Sequence, residues 1–385
     1  MKIAVNVTRD YVAGITSTNL NLLNHLLRND HEFVGIELTD RIYMKGPALF
    51  RTFAPETFDH HIINLHHLPI SHVMKSAHTL GAVQKRYGAI ITIIRSVLRE
   101  TKPDCVLLNG TSFIPWLISI AAQKEGIPIL LWYAGVLTKE TELYPRKKRI
   151  IFTAMERSIV RRAKTIIFPS QACRSQVEQT VMKRKVKNGT IIPNPVASTF
   201  MEPSVVAPNS ERNIAAVGRY TPIKNFDQFF DVHKRLLSES WAHKASFVTN
   251  PSQRLSKAIP SDIEVLPPMT SEALKSFFLT QGLIVCPSHF ETFGNAPMEA
   301  VCLGIPVLVN ESMGCAEVLE EVGLASMVID FDDLPAVTER IKELAGQHIL
   351  PKQLTAIHRV LDYRTIGQKI EEVLINTAPP AHDSH

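Results

Sequence analysis

The chain has 385 residues, 45% apolar and 21% charged, with a formal net charge of +5. That length predicts two domains of a globular protein, and so small a net charge does not by itself define an anionic partner. Five scattered cysteines, Cys105, Cys173, Cys286, Cys302 and Cys315, argue for a reducing compartment and against a disulfide frame or a zinc site. The first strand pattern has no signal peptide before it, and no apolar run reaches the roughly 18 residues of a membrane span. A cytoplasmic location is the expectation.

In chain order, "KIAVNV" reads as a strand, and "STNLNLLNHLLRN" follows at helical spacing with Leu20, Leu23, Leu26 and Leu27 on one face. Residues 39–86 are less regular and carry His60, His61, His66, His67, His72 and His78. They lack nearby cysteines and ligand spacing, so variable surface or acceptor contact is expected there rather than a metal. The runs "DCVLLN", "PILLWYAG" and "TIIFPS" each follow a helix-like stretch, a βαβ rhythm that predicts a parallel sheet covered on both faces. The basic segments "YPRKKR" and "ERSIVRRAK" place Arg157, Arg161 and Lys164 near one helical face, which suits either a solvated face or contact with an anionic membrane.

Four prolines in residues 191–213 mark a connector. The rhythm restarts with "NIAAVGRY", "ASFVTN", "IEVLPP", "GLIVCPS" and "IPVLVN", and "RTIGQKIEEVL" reads as a last helix before a polar tail. The expected domains are residues 1–195 and 196–360, with 361–385 a terminal helix and tail. "DFDD", from Asp330, lies after the last strand pattern and suits a helix start better than a metal site.

The chemistry concentrates in the second half. "GLIVCPS" reads as a buried strand ending at Pro287-Ser288, and ligands of open α/β sheets bind beyond the carboxyl ends of strands. Glu291 would face that crevice. In "GNAPMEAVCLG", Asn295 suits an N-cap, Pro297 the first turn and Gly304 the stop. A helix N-terminus favours a phosphate, and Glu291 and Glu299 on either side can accept hydrogen bonds from neutral hydroxyls. Upstream, Gly218-Arg219 ends a strand and Lys224 follows five residues later. Arg219, with its planar fork, and Lys224, a point charge, could clamp a diphosphate. Ser288 and Thr292 read as turn hydrogen-bonders, since no Ser-His-Asp arrangement is evident.

Gly218-Arg219, Lys224, Pro287-Ser288, Glu291-Thr292-Phe293-Gly294, Glu299-Ala300, Gly304-Ile305-Pro306-Val307 and "SMGCAEVL" together resemble the retaining GT-B glycosyltransferases of family four. The resemblance is strong over residues 191–319 and weaker before. It implies an α/β GT-B fold: two Rossmann-like domains facing each other across a cleft, acceptor in the first and nucleotide sugar in the second, with a C-terminal helix crossing back. It implies metal-independent retaining transfer from a UDP- or GDP-linked sugar to a hydroxyl of a glycan, glycolipid or small molecule, with no cofactor and no nucleic acid. Arg219, Lys224 and Glu291 would be catalytic. Gly218, Glu299 and the backbone of Phe293, Gly294 and Asn295 would hold the donor, together with Gly14 in place of the family's Gly-Gly turn. Where the family often carries a His beside the donor sugar, this chain has Tyr133, Ala134 and Gly135, so the donor's exocyclic position is contacted differently or lacks a hydroxyl. The competing readings are a GT-B epimerase or hydrolase and a non-enzymatic nucleotide-sugar binder. A Rossmann dehydrogenase is disfavoured, because no Gly-x-Gly-x-x-Gly follows an early strand.

Overall fold

The computed structural model describes residues 1–7, 31–39, 58–65, 79–201, 212–250 and 258–378, with Leu22, Leu26, Asn29 and Leu68 besides. Gly14, Leu20, Leu23, Leu27, His66, His67, His72, His78 and the polar tail from residue 379 lie outside the described residues.

The chain forms two compact units, one of Met1–Pro169, Cys173–Ile192 and Gly367–His385, the other of Ser170–Ala172 and Pro193–Ile366. The first is built on a seven-stranded parallel sheet of β1 (Lys2–Val7), β2 (Glu32–Thr39), β3 (Phe58–Asn64), β4 (Cys105–Asn109), β5 (Ile129–Trp132), β6 (Thr165–Phe168) and β7 (Gly189–Ile191). Its strand order is β3-β2-β1-β4-β5-β6-β7. The central strands are continuous apolar runs because both faces are buried: Ile3, Ala4 and Val5 on β1, like Val106, Leu107 and Leu108 on β4, are fully covered. The longer helices of this unit include α1 (Gly88–Thr101), α2 (Phe113–Lys124) and α3 (Arg146–Arg162).

β3 falls in the stretch whose pattern reads as irregular. Its sequence, FDHHIIN, shows little apolar alternation until Ile62, because His60 pairs with the buried Glu37 of β2 (3.0 Å) and His61 with Asp59 (3.0 Å). Strand pairing with β2, in register from Phe33↔Phe58 to Thr39↔Asn64, settles what local propensity leaves open.

The second unit carries a six-stranded parallel sheet: β8 (Ile214–Val217), β9 (Ala245–Val248), β10 (Ile263–Leu266), β11 (Leu283–Cys286), β12 (Val307–Asn310) and β13 (Val328–Ile329), in the order β10-β9-β8-β11-β12-β13. Helix α4 (Phe226–Ser238) buries Phe226, Phe229 and Phe230 at helical spacing. Phe226 and Phe230 pack on Phe247 of β9, with ring centroids 4.7 and 5.7 Å away. Each such ring contributes about 1.5–3 kcal/mol through burial. Two short helices border the site, α5 (Asn295–Cys302) and α6 (Cys315–Glu321). The last helix, α7 (Tyr363–Thr377), starts in the second unit and belongs to the first from Gly367 onward. There Lys164 Nζ donates to the Thr377 carbonyl (2.8 Å), and Glu371 binds His31 Nε2 (2.7 Å).

Candidate active site

The strand order of the second unit reverses between β8 and β11. From β8 the chain winds outward through β9 and β10, then returns to β8's other side as β11 and winds outward through β12 and β13. A doubly wound sheet opens a crevice at the carboxyl ends of the two strands flanking such a switch point. β8 and β11 run parallel with Leu283 beside Ile214 and Ile284 beside Ala215, so the residues that follow Val217 and Cys286 both leave at that crevice.

Beyond β8, Gly218 has φ +150°, and a β-carbon there would lie 3.2 Å from the Phe226 ring, so glycine is the residue that fits. Arg219 is exposed. A 3₁₀ turn, Pro222–Lys224, then precedes Asn225 (φ 52°) and α4, so Lys224 closes that turn rather than opening the helix. The Tyr220 hydroxyl donates to the Asp227 carboxylate in the first turn of α4 and anchors the loop.

Beyond β11, the His289 N–H donates to the Ile223 carbonyl (2.9 Å), which ties this loop to the one after β8. Lys224 Nζ then lies 2.7 Å from Glu291 Oε1, and Ser288 Oγ donates to the same oxygen (2.9 Å). Ser288 is thus the turn hydrogen-bonder its type and position suggest. The backbone of Glu291 is fixed from the other side, where the Gly314 N–H donates to its carbonyl (3.0 Å) and the Cys315 N–H to that of Phe293 (2.7 Å). Lys224 and Ser288 thus hold the carboxylate of Glu291 while the start of α6 holds its backbone.

Gly294, not Asn295, is the N-cap of α5; Asn295 is its first helical residue. The physical reason is packing. At φ +115° a β-carbon on residue 294 would meet Cys315 Sγ at 2.8 Å and Met313 Cε at 3.0 Å, so the chain turns at the one residue without a side chain. The Asn295 side chain instead accepts from Asn194 Nδ2 (3.0 Å). Pro297 sits in the first turn, and Gly304 follows the C-cap Leu303, as the sequence suggests.

Glu299 lies one turn into α5. Its side chain keeps some exposure, yet the protein packed around the carboxyl pushes its pKa from 4.5 up to about 7. Since the folded-state value is the raised one, this group costs nothing below the unfolded pKa. Its penalty develops as pH rises from 4.5 through about 7. A ligand that donates hydroxyl hydrogen bonds favours the ionised form. Affinity for a nucleotide sugar, whose diphosphate is esterified at both ends and does not titrate in this range, is therefore expected to fall several-fold between pH 8 and pH 6, approaching about tenfold per unit well below the carboxyl's pKa. Calorimetry checks this: Glu299→Gln should bind more weakly with a flat profile, and an unchanged slope in that variant would remove Glu299 from the site.

Around β5 of the first unit, Tyr133 is fully buried and donates to Glu156 Oε1 (2.8 Å), while Ala134 and Gly135 are partly exposed. The buried Glu156 also accepts from the N–H groups of Leu137 (3.0 Å) and Thr138 (2.7 Å), which holds the loop after β5. Burial pushes its pKa up, against these hydrogen bonds. Over Gly135 stands Glu140, whose Oε1 would lie 2.3 Å from a β-carbon at that position. Nothing in the sequence marks Glu156, the one acid in a basic helix.

Asp333 caps the helix Leu334–Leu344 through the Ala336 N–H (3.0 Å), a structural role for "DFDD". The shared face proposed for Arg157, Arg161 and Lys164 does not stand free, because Arg157 Nε is spent on the Val181 carbonyl (2.7 Å) and Lys164 on that of Thr377. All five cysteines are buried, and none is in a disulfide. Desolvation pushes the Cys105 thiol up to about 12 and the Cys286, Cys302 and Cys315 thiols beyond the usual range, which disfavours the nucleophilic thiolate at these four positions. Among the described residues no group of His, Cys, Asp or Glu could hold a metal ion, and no helix is long and apolar enough to cross a membrane.

Two units, each built on a doubly wound parallel sheet, with a Lys224–Glu291 pair at the second unit's switch point, are the architecture of the GT-B class of glycosyltransferases. Solved structures share the fold. They include sucrose-phosphate synthase from Thermosynechococcus elongatus (TM-score 0.74, 15% identity, 98% of each chain covered). They also include WaaG, a glycosyltransferase of lipopolysaccharide biosynthesis (TM-score 0.64, 14% identity, 96% of this chain and 99% of that one). The family model for glycosyl transferases group 1 matches residues 211–347, and that for Glycosyltransferase Family 4 matches residues 12–199. The chain belongs to this family, and it is a glycosyltransferase. A lipopolysaccharide core biosynthesis mannosyltransferase, LpsB of Rhizobium meliloti (strain 1021), is 24% identical over 304 residues, which span 70% of this chain and 82% of that protein.

Proposed function

We propose that this glycosyltransferase moves a sugar from a UDP- or GDP-linked donor to a hydroxyl of a glycan, glycolipid or small molecule with retention of configuration, and that it needs no metal. The observation that carries this reading is the Lys224–Glu291 pair, 2.7 Å apart at the switch point and beside the Gly294-capped start of α5.

In this mechanism the bond between the anomeric carbon and the diphosphate oxygen breaks first, and negative charge develops on the departing diphosphate. Arg219, Lys224 and the N-terminus of α5, with the backbone of Phe293, Gly294 and Asn295, stabilise that charge where it appears. Gly218 lets the backbone approach the phosphates. Glu291 accepts from donor sugar hydroxyls, oriented by Ser288 and Lys224, while Glu299 accepts from the ribose. The acceptor hydroxyl then attacks the oxocarbenium-like sugar on the face the diphosphate leaves, and a diphosphate oxygen takes its proton. Gly14, which lies outside the described residues, completes the donor set by the family's pattern.

The name of the R. meliloti relative supports a hexose donor and a lipopolysaccharide acceptor. The glycine at residue 135, with the Glu140 carboxylate above it, supports a donor whose exocyclic carbon is read by a carboxylate or carries no hydroxyl. A panel of hexose, 6-deoxyhexose and pentose donors, followed by nucleotide release, separates these. A strong hexose preference that is undiminished in Gly135→Ala excludes the deoxy reading. NMR of the product settles the stereochemistry, since an inverted anomeric centre excludes the mechanism above. Donor consumption without acceptor would instead mark an epimerase or hydrolase.

A further inference from the structure

The molecule's charge is unevenly placed. Residues 146–187 hold thirteen Lys and Arg against two acids, Glu156 and Glu178, a formal +11 in a chain whose total is +5. Both acids are engaged inside the protein, Glu156 with the loop after β5 and Glu178 with Arg174 (3.1 Å), Lys185 (3.3 Å) and the Val186 N–H (2.9 Å). The exposed charges of α3 are all cations. Arg146, Lys147, Arg149 and Arg161 are exposed, and none forms an ion pair among the described residues.

Apolar side chains concentrate at the same place. Ten large apolar residues are exposed among those described, and seven are scattered singly. The other three fall within eight residues at the N-terminal tip of α3: Leu143 (76% exposed), Tyr144 (49%) and Ile150 (60%). Solvated basic helices do not need this, and isolated exposed apolars would not cluster so. Arg146, Ile150 and Arg161, spaced by four and eleven residues, share one exposed stripe of the helix, about 22 Å long at its ends, with Arg157 in the same row but turned to the Val181 carbonyl. Since Arg157 reaches the Val181 carbonyl, the exposed Lys183, Arg184, Lys185 and Lys187 lie alongside that stripe. Lys183, Arg184 and Lys185 also line an open pocket of about 560 Å³ with Ser175, Glu178 and Gln179. The nearest acid on the tip, Glu142, is paired with Lys139 (2.8 Å).

We propose that the tip of α3 and its outer stripe dock this enzyme on an anionic lipid surface, with Leu143 and Ile150 entering the headgroup boundary and the cations facing lipid phosphates. Charge alone would suit nucleic acid equally. The exposed leucine and isoleucine at the centre of the cations favour lipid, because an apolar side chain gains by leaving water for acyl chains and gains nothing on a phosphate backbone. Of the face the sequence alone suggests, Arg157, Arg161 and Lys164, only Arg161 remains in this one, since the other two are held by backbone carbonyls and the exposed cations of the tip take their place. The inference does not depend on which donor the enzyme uses.

Co-sedimentation of the full chain with vesicles tests it, using neutral phosphatidylcholine and phosphatidylcholine mixed with phosphatidylglycerol. Binding to the mixed vesicles alone is expected, and it should weaken with salt. At roughly fivefold per surface cation, Arg146→Ala/Lys147→Ala/Arg149→Ala should lower the partition coefficient about 100-fold. Leu143→Ser/Ile150→Ser should lower it about tenfold or more. Both variants should keep the wild-type melting midpoint and the wild-type rate of nucleotide release with a water-soluble acceptor. Equal binding to neutral vesicles, or undiminished binding by either variant, overturns the proposal. Tight RNA binding that needs the cations but not Leu143 and Ile150, with no vesicle binding, overturns it in favour of nucleic acid.

Discussion

Lys224→Ala is expected to lower turnover about 100-fold or more, the cost typical of removing one electrostatic partner of a transition state, about 2.7–4 kcal/mol. Stability should change little. The Lys224–Glu291 pair is partly exposed, with side chains 24% and 19% accessible, and such pairs contribute about 0–1 kcal/mol to folding. A variant that melts normally and barely turns over therefore separates chemistry from folding. Glu291→Ala should lose a comparable factor, since it leaves Lys224 and Ser288 without the oxygen both hold. The two losses should not multiply. Each substitution already disables the pair, so the double variant is expected to fall well short of the roughly 10,000-fold that independent sites would give. Full activity in either single variant, read by nucleotide release, would remove the pair from the mechanism.

Gly314→Ala is expected to be the most damaging small substitution outside the charged set. A β-carbon there would stand 2.3 Å from the Thr292 carbonyl oxygen, a backbone atom with no rotamer to escape into. The clash must move either α6 or the turn that carries Glu291, since the Gly314 N–H is bonded to the Glu291 carbonyl. Overpacking of this kind costs about 1–3 kcal/mol, which for a unit of this size lowers the melting midpoint by several degrees. Activity should fall with it, because the displaced segment positions Glu291. Gly81→Ala is the control: nothing lies within 4 Å of that β-carbon, and the helix Leu80–Arg86 should tolerate or gain from alanine. Equal midpoints for the two variants would mean that residue 314 does not pin the turn.

The second unit's site is legible in the sequence because its parts are local. Strand, glycine, cation and carboxylate follow one another within two short segments, and parallel winding brings the ends of β8 and β11 together without further information. What the residues do not disclose is non-local. The cap of α5 moves from Asn295 to Gly294 because Met313 and Cys315, distant in sequence, fill the space a side chain would need. The strand β3 is hidden because the partner of His60 in its middle, the buried Glu37, stands on β2 and not on β3 itself. Glu156 carries no signal at all, since a lone acid in a basic helix looks solvated until the fold buries it under Tyr133 and Thr138. The basic stretch is visible as charge, but which cations remain outward depends on the carbonyls of Val181 and Thr377.

A thermal-shift panel of UDP, GDP, dTDP and CMP, each with and without EDTA, tests the proposed donor site most directly. A ligand at about 100 times its dissociation constant adds roughly 2.7 kcal/mol to the state it binds, a few degrees for a chain of this size. One nucleoside diphosphate should raise the midpoint of the wild-type protein, EDTA should leave the shift intact, and Lys224→Ala and Glu299→Gln should each reduce it. No shift from any nucleotide, confirmed by calorimetry, or a shift that EDTA abolishes, would contradict a metal-independent diphosphate site built from Arg219, Lys224, Glu291 and Glu299.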